Sequence, residues 1–233
     1  QMPVGGARGD IKMGFYAMGS HDIVQGTNCP IQDDGNNRIA QICYDIAKEL
    51  DVEPYDEHTG KGVLRHVIGR IGQSGWMVIL VTATEHLPHQ EEWVERITNR
   101  IPQVETIVHN VNSKRTNVIL GPTNYVLYGD GTITDHIKDL QFTLSPHSFF
   151  QVNPEQTTVL YDQALAYANL EGNETVIDAY CGTGTISLFL AHKAKHVIGI
   201  EIVEPAIINA RENARRNGYD NTEFIVADAA VEM

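Results

Sequence analysis

Apolar positions recur every three or four residues from Arg38 to Leu50, so that Ile39, Ile42, Cys43, Ile46, Ala47 and Leu50 share one face and predict an amphipathic helix. A second helix is predicted from Glu91 to Ile101, ended by Pro102. Around these two the pattern is that of strands. Ile11–Met18 reads as one. Val63–Ile71 and Trp76–Thr84 read as two more, joined through Gln73-Ser74-Gly75, a hairpin turn in which Gly75 is able to take a positive φ. Short β-like runs follow at Thr106–Val108, Asn117–Leu120, Tyr125–Tyr128, Thr132–Ile133 and Phe142–Leu144. Helices set among meandering strands predict an α+β unit over residues 1–144.

After Pro154 the rhythm changes to regular alternation. A helix over Glu155–Asn169 leads to strand Thr175–Asp178, a Gly-containing turn and a helix over Thr185–His192. Strand His196–Glu201, a helix over Pro205–Asn217 and strand Glu223–Val226 complete the series. Apolar, β-branched strands alternating with helices predict βαβ units and a parallel sheet over residues 145–233. Such sheets carry about five or more strands, and three are visible here. The expectation is therefore an incomplete sheet in a piece of chain truncated at both ends, with an open edge on its third strand.

Composition narrows the class. The chain has 233 residues, 42% of them hydrophobic and 20% charged, which excludes disordered and collagen-like sequences. No apolar run reaches the ~18 residues of a membrane helix, and no secretory signal is visible, so no membrane partner is expected and the cytoplasm is the expected setting. Cys29, Cys43 and Cys181 include no C-x-x-C pair, and the ten His show no metal-ligand spacing, so no metal site is expected. The net charge is −13, with acid in excess on both sides of residue 150. Taken alone, that acidity argues against a nucleic-acid partner.

The chemistry concentrates at Asp178-Ala179-Tyr180-Cys181-Gly182-Thr183-Gly184-Thr185, where a strand hands over to a helix. Gly182 and Gly184 allow a sharp turn and close approach of a ligand. Glu201 ends the second strand, where a carboxylate can accept hydrogens from both ribose hydroxyls, and Asp228 ends the third, beside the place for an adenine amino group. Position 187 is Ser where a dinucleotide site would want a third Gly, which disfavours an NAD-dependent oxidoreductase. Glycine loop, ribose acid and adenine acid at successive strand ends form the pattern of class I S-adenosylmethionine methyltransferases. The fold class read from it is α/β, an incomplete Rossmann-like class I methyltransferase domain behind an α+β domain. Cys181 beside the loop reads as a buried thiol rather than a nucleophile.

Two runs are more specific. Ser145-Pro146-His147-Ser148-Phe149-Phe150-Gln151-Val152-Asn153-Pro154-Glu155-Gln156-Thr157 and Asp178–Leu188 resemble the bacterial RNA uracil-C5 methyltransferases, which make 5-methyluridine in 23S ribosomal RNA and in tRNA. Gly14-Phe15-Tyr16, Ser20–Val24, Leu64–Val67 and Thr116–Gly121 resemble that family's RNA-facing central domain. The resemblance covers essentially the whole chain and leans to the ribosomal branch. It implies S-adenosylmethionine as cofactor, with Gln151, Tyr180, Gly182, Gly184, Thr185, Glu201 and Asp228 around it and Phe149 near the target base.

The family's nucleophilic cysteine, in a D-P-P-R-x-G-C run, has no counterpart here, so no catalytic residue is expected in this stretch and turnover by it alone is not expected. The family's small N-terminal RNA-binding barrel is absent as well. Cys29 resembles the last ligand of an iron–sulfur cluster carried by some members, but the upstream cysteines are missing, which leaves it a plain thiol. Loop 112–117, with Arg65, His66 and Arg70, is the expected phosphate-contacting surface or else plain solvated surface. The implied partner is 23S ribosomal RNA, then tRNA, with no obligate protein partner. The competing readings are a cofactor- or RNA-binding module without turnover, and the NAD enzyme.

Overall fold

The computed structural model describes residues 1–232, which divide into two compact units, Gln1–Ile133 and Thr134 onward. The division falls earlier than the boundary expected at 144/145. The strand pair β8 (Ile133–Ile137) and β9 (Leu140–Leu144) goes with the second unit, because β9 is hydrogen-bonded to a helix there.

In the first unit, strands β1 (Met2–Ala7), β2 (Asp10–Tyr16), β3 (Ile23–Gln25), β4 (Leu64–Ile71), β5 (Trp76–Thr82), β6 (Val104–Val111) and β7 (Thr123–Tyr128) form a seven-stranded sheet in the order β3-β2-β1-β4-β5-β6-β7. All neighbours are antiparallel except β5 and β6, which helix α2 (Gln90–Arg100) joins in parallel. Helix α1 (Asp34–Glu49) buries Ile39, Cys43, Ile46 and Ala47, the face its periodicity predicts, in one core with Trp93 and Ile97 of α2. It begins earlier than its apolar pattern because Asp33 caps it, accepting from the Gly35 N–H at 2.7 Å.

Two local expectations are corrected. The 73–75 hairpin turn forms, but Gly75 has no positive φ. A Cβ there would lie 2.8 Å from Glu105 Cβ, so the site requires smallness rather than conformational freedom. Asn117–Leu120 is loop rather than strand. The buried Asn112 amide donates to the carbonyls of Val118 and Ile119 at 2.6 and 2.9 Å and takes acceptors that a ladder would use.

In the second unit, helix α3 (Pro154–Ala168), strand β10 (Thr175–Ala179), helix α4 (Thr185–Ala191), strand β11 (His196–Glu201), helix α5 (Glu204–Arg216), strand β12 (Thr222–Val226) and the short helix α6 (Ala229–Glu232) follow the predicted alternation. The sheet is parallel, in the order β10-β11-β12. β11 is central, so both outer strands have an edge without a sheet neighbour among the described residues, not β12 alone as expected. Among the described residues, no helix is long and apolar enough to cross a membrane, and no group of three or more His, Cys, Asp and Glu could hold a metal ion.

Candidate functional site

Parallel pairing brings the carboxyl ends of β10, β11 and β12 to one edge of the second unit, the usual place for a ligand in an open α/β sheet. The loop after β10 is wound tightly there. Tyr180, Gly182 and Gly184 all have positive φ, at 64°, 56° and 79°. A left-handed tyrosine is strained, a condition concentrated at functional loops. The turn is fixed by the Cys181 N–H donating to Ile200 O of β11 at 3.0 Å and by the Gly184 N–H donating to Cys181 O at 2.9 Å. A Cβ on Gly184 would press on the Phe224 ring at 3.0 Å, whereas one on Gly182 would meet nothing within 4 Å. Gly184 therefore answers to packing beneath the loop, and Gly182 faces open space where a ligand can approach.

Glu201, the last residue of β11, turns its carboxylate to this loop. Its Oε2 accepts from the Gly182 N–H at 3.2 Å and its Oε1 from the Val203 N–H at 3.0 Å. A carboxylate has about four acceptor positions, so two remain for a pair of vicinal hydroxyls. Asp228 lies just beyond β12 and caps α6, accepting from the Ala230 N–H at 3.0 Å through Oδ1. The donor set thus fits a nucleoside: a twice-anchored carboxylate beside a glycine turn, with a second acid at the next strand end.

Asp178 is half-buried and accepts a hydrogen bond from Ser187 Oγ, which ties β10 to α4. Burial raises its carboxyl above the ordinary aspartate value, against the opposing effect of the Ser187 hydrogen bonds. Burial also pushes the Cys181 thiol up to about 12, with Asp178 and Glu201 adding to the effect. It is therefore a protonated, buried thiol, as read from the sequence. Thr185 pairs its hydroxyl with Tyr161 Oη at 3.0 Å, and the Tyr180 side chain is 67% exposed.

Gln151 and Phe149 lie on the 145–153 segment between β9 and α3. Phe149 is 72% exposed, whereas Phe150 packs on Phe142 with ring centroids 5.8 Å apart. The two adjacent aromatics are thus separated into one available and one structural.

Sequence reasoning missed the group that organises this region. Asn209 and Asn213 of α5, and Asn217 at its C-cap, stand one turn apart. Asn209 Nδ2 donates to Ser148 Oγ at 3.1 Å, which tethers the 145–153 segment. Asn213 Oδ1 accepts from the Thr143 N–H at 2.9 Å, and its Nδ2 donates to Thr183 O in the glycine loop at 3.1 Å. Asn217 accepts from the Gln141 N–H at 2.8 Å and donates to Gln141 O at 2.7 Å. The i, i+4, i+8 spacing was the available signal, since asparagine is a poor interior helix residue unless its amide is used.

In the first unit, Arg65 and His66 are buried rather than solvated, at 4% and 5% exposure. Cys29 is half-buried, in a turn held by Asn37.

A methyltransferase-domain family model matches residues 170–232. An uncharacterized RNA methyltransferase of Halalkalibacterium halodurans is 52% identical over 98% of this chain and 50% of its own length. One from Clostridium acetobutylicum is 49% identical over 100% of this chain and 51% of its own length. The chain thus spans about half the length of the curated relatives it matches. Among solved structures, a tRNA (uracil-54, C5)-methyltransferase of Pyrococcus abyssi in complex with S-adenosyl-L-homocysteine superposes with TM-score 0.77 at 26% identity, covering 93% of this chain and 52% of that one. Strand ends, glycine loop and likenesses agree: the second unit has the class I S-adenosylmethionine methyltransferase fold, in a chain similar over nearly its whole length to proteins named RNA methyltransferases.

Proposed function

We propose that this chain belongs to an enzyme that transfers a methyl group from S-adenosylmethionine to C5 of a uridine in RNA, with 23S ribosomal RNA as substrate. The observation that carries the reading is Glu201 anchored to the Gly182 N–H at the end of β11, beside a strained glycine loop. In this reading Glu201 receives the ribose hydroxyls on its free acceptor positions, and Asp228 receives the adenine amino group. Tyr180, Gly182, Gly184 and Thr185 shape the loop around the ligand, and Gln151 closes on it from the 145–153 segment. Phe149 offers an exposed aromatic face to a base taken out of its stack. When bound, the cofactor supplies an electrophilic methyl group.

Uracil C5 becomes nucleophilic only after a thiolate adds to C6, and this stretch is poorly supplied for that step. Cys43 and Cys181 are buried, with thiols pushed up to about 12. The residues here hold the cofactor and present the base, without turnover of their own.

Ultraviolet labelling with tritiated S-adenosylmethionine tests the site. Label is expected in peptides carrying Tyr180–Thr185 or Glu201, suppressed by S-adenosylhomocysteine and not by NAD. Suppression by NAD would favour the dinucleotide reading. Filter binding of unmodified 23S ribosomal RNA against tRNA transcripts tests the substrate. Tighter retention of tRNA would overturn the ribosomal assignment.

A further inference from the structure

The first unit holds a cavity of about 490 Å³, lined among others by Tyr16, Tyr55, Arg65, His66, Arg115 and Asn117. Its size is in the range of ligand pockets, about 300–1,000 Å³. Its walls are of three kinds. Tyr16 and His21 form an aromatic wall, their rings 5.2 Å apart, and Tyr16 Oη is held by donating to Glu57 Oε1 at 3.0 Å.

A cationic floor comes from Arg65, whose guanidinium lies over the Tyr55 ring at 4.5 Å and donates to Asn112 O and Lys114 O at 2.5 and 2.8 Å. The opposite wall is the 112–120 loop, bent by Asn112, whose Thr116 and Asn117 are exposed hydrogen-bonding groups. Arg115 closes this side by donating to Glu57 O and His58 O at 2.9 and 2.7 Å.

Two of the lining side chains are more than nine-tenths buried yet keep a nitrogen with no partner among the described residues, Arg65 Nε and His66 Nδ1. Buried polar atoms left unpaired are rare, and a group kept that way calls for a role other than stability. An aromatic face, amide and hydroxyl groups for a base edge, and spare guanidinium donors for a phosphate are the chemistry that recognises an unstacked nucleotide.

We propose that this cavity takes one splayed-out nucleotide of the substrate strand, its base against Tyr16 and His21 and its phosphate at Arg115. The proposal rests on the RNA reading above but not on the cofactor site, since every residue it uses lies in the first unit.

The test uses the whole chain and a ten-nucleotide single-stranded RNA carrying one 4-thiouridine. Photo-crosslinking followed by peptide mapping is expected to place the RNA on Tyr16 or on residues 115–119. Crosslinks only outside the cavity-lining residues overturn the proposal. Tyr16→Ala is expected to weaken binding of the same RNA about tenfold, the scale of one lost base stack, while Tyr16→Phe leaves it within about twofold. Arg115→Ala is expected to reduce the salt slope of binding by about one. S-adenosylhomocysteine affinity stays unchanged in all three variants. Uridine or adenosine monophosphate binding as tightly as the RNA would make this a free-nucleotide site and overturn the assignment. A chain that binds S-adenosylhomocysteine but shows no crosslink refutes this pocket alone, and the reverse result refutes the cofactor site alone.

Discussion

Asn213 is the side chain whose loss should be felt furthest from its own position. It is fully buried in α5 and closes two hydrogen bonds at once, from the Thr143 N–H and to the Thr183 carbonyl. Asn213→Ala would leave both backbone groups without that partner. A buried group left unpaired costs about 1–3 kcal/mol, so two cost about 2–6. The better helix propensity of alanine returns about 0.5 kcal/mol. The expected loss in the unfolding free energy of the second unit is therefore about 1.5–5.5 kcal/mol.

Urea unfolding followed by circular dichroism measures it, while Trp76 and Trp93 fluorescence reports the first unit separately, where both tryptophans lie. Because Thr183 belongs to the glycine loop, S-adenosylhomocysteine affinity should fall with stability. Asn213→Asp keeps the acceptor for Thr143 but cannot donate to Thr183, and should lose at least as much. A loss below about 0.5 kcal/mol in Asn213→Ala, or an unchanged cofactor affinity, would refute the reasoning, because exposed substitutions change stability by about that much.

Three other outcomes follow from the same structure. His66 is held neutral by burial and by Arg65, its pKa lowered from 6.5 to about 4. The unfolded chain therefore takes up a proton below pH 6.5 that the folded chain refuses. Stability of the first unit should fall between pH 6.5 and about 4 by roughly 3 kcal/mol from this residue, and His66→Gln should flatten that slope in urea titrations across the range. With Cys43 and Cys181 protonated and buried, one thiol, Cys29, should react with Ellman's reagent in the native chain and all three after denaturation; fast labelling of Cys181 would contradict the loop geometry. Asp178→Asn removes a carboxyl whose pKa burial has raised in the fold. The wild type should lose stability as pH rises from the unfolded aspartate value through the folded one, and the variant should lack that component in acid denaturation curves.

The second unit was readable because each of its strands is a β-branched run bounded by a helix with its own start signal, such as Asn153 accepting from the Gln156 N–H before Pro154. The places of the glycine loop and of Glu201 at the ends of β10 and β11 were legible for the same reason, whereas Asp228 falls beyond the end of β12. What stayed hidden was set by tertiary contacts. Met2–Ala7 became a strand despite Gly5 and Gly6, because it pairs with both β2 and β4. Arg65 looked like surface but found a tyrosine face and two carbonyls, a pairing no local pattern announces. The domain boundary moved for the same kind of reason, since Asn213 and Asn217 capture the backbone of β9 from far along the chain.

The central claim, that Glu201 and the glycine loop hold an S-adenosyl ligand, is tested most directly by calorimetric titration of the 233-residue chain with S-adenosylhomocysteine, alongside its Glu201→Ala variant. Removing a charged acceptor is worth about 1.5–3 kcal/mol, so the account predicts saturable one-site binding weakened by roughly 10- to 150-fold in the variant. Equal affinity in the two chains, or no binding to the unaltered one, would contradict it.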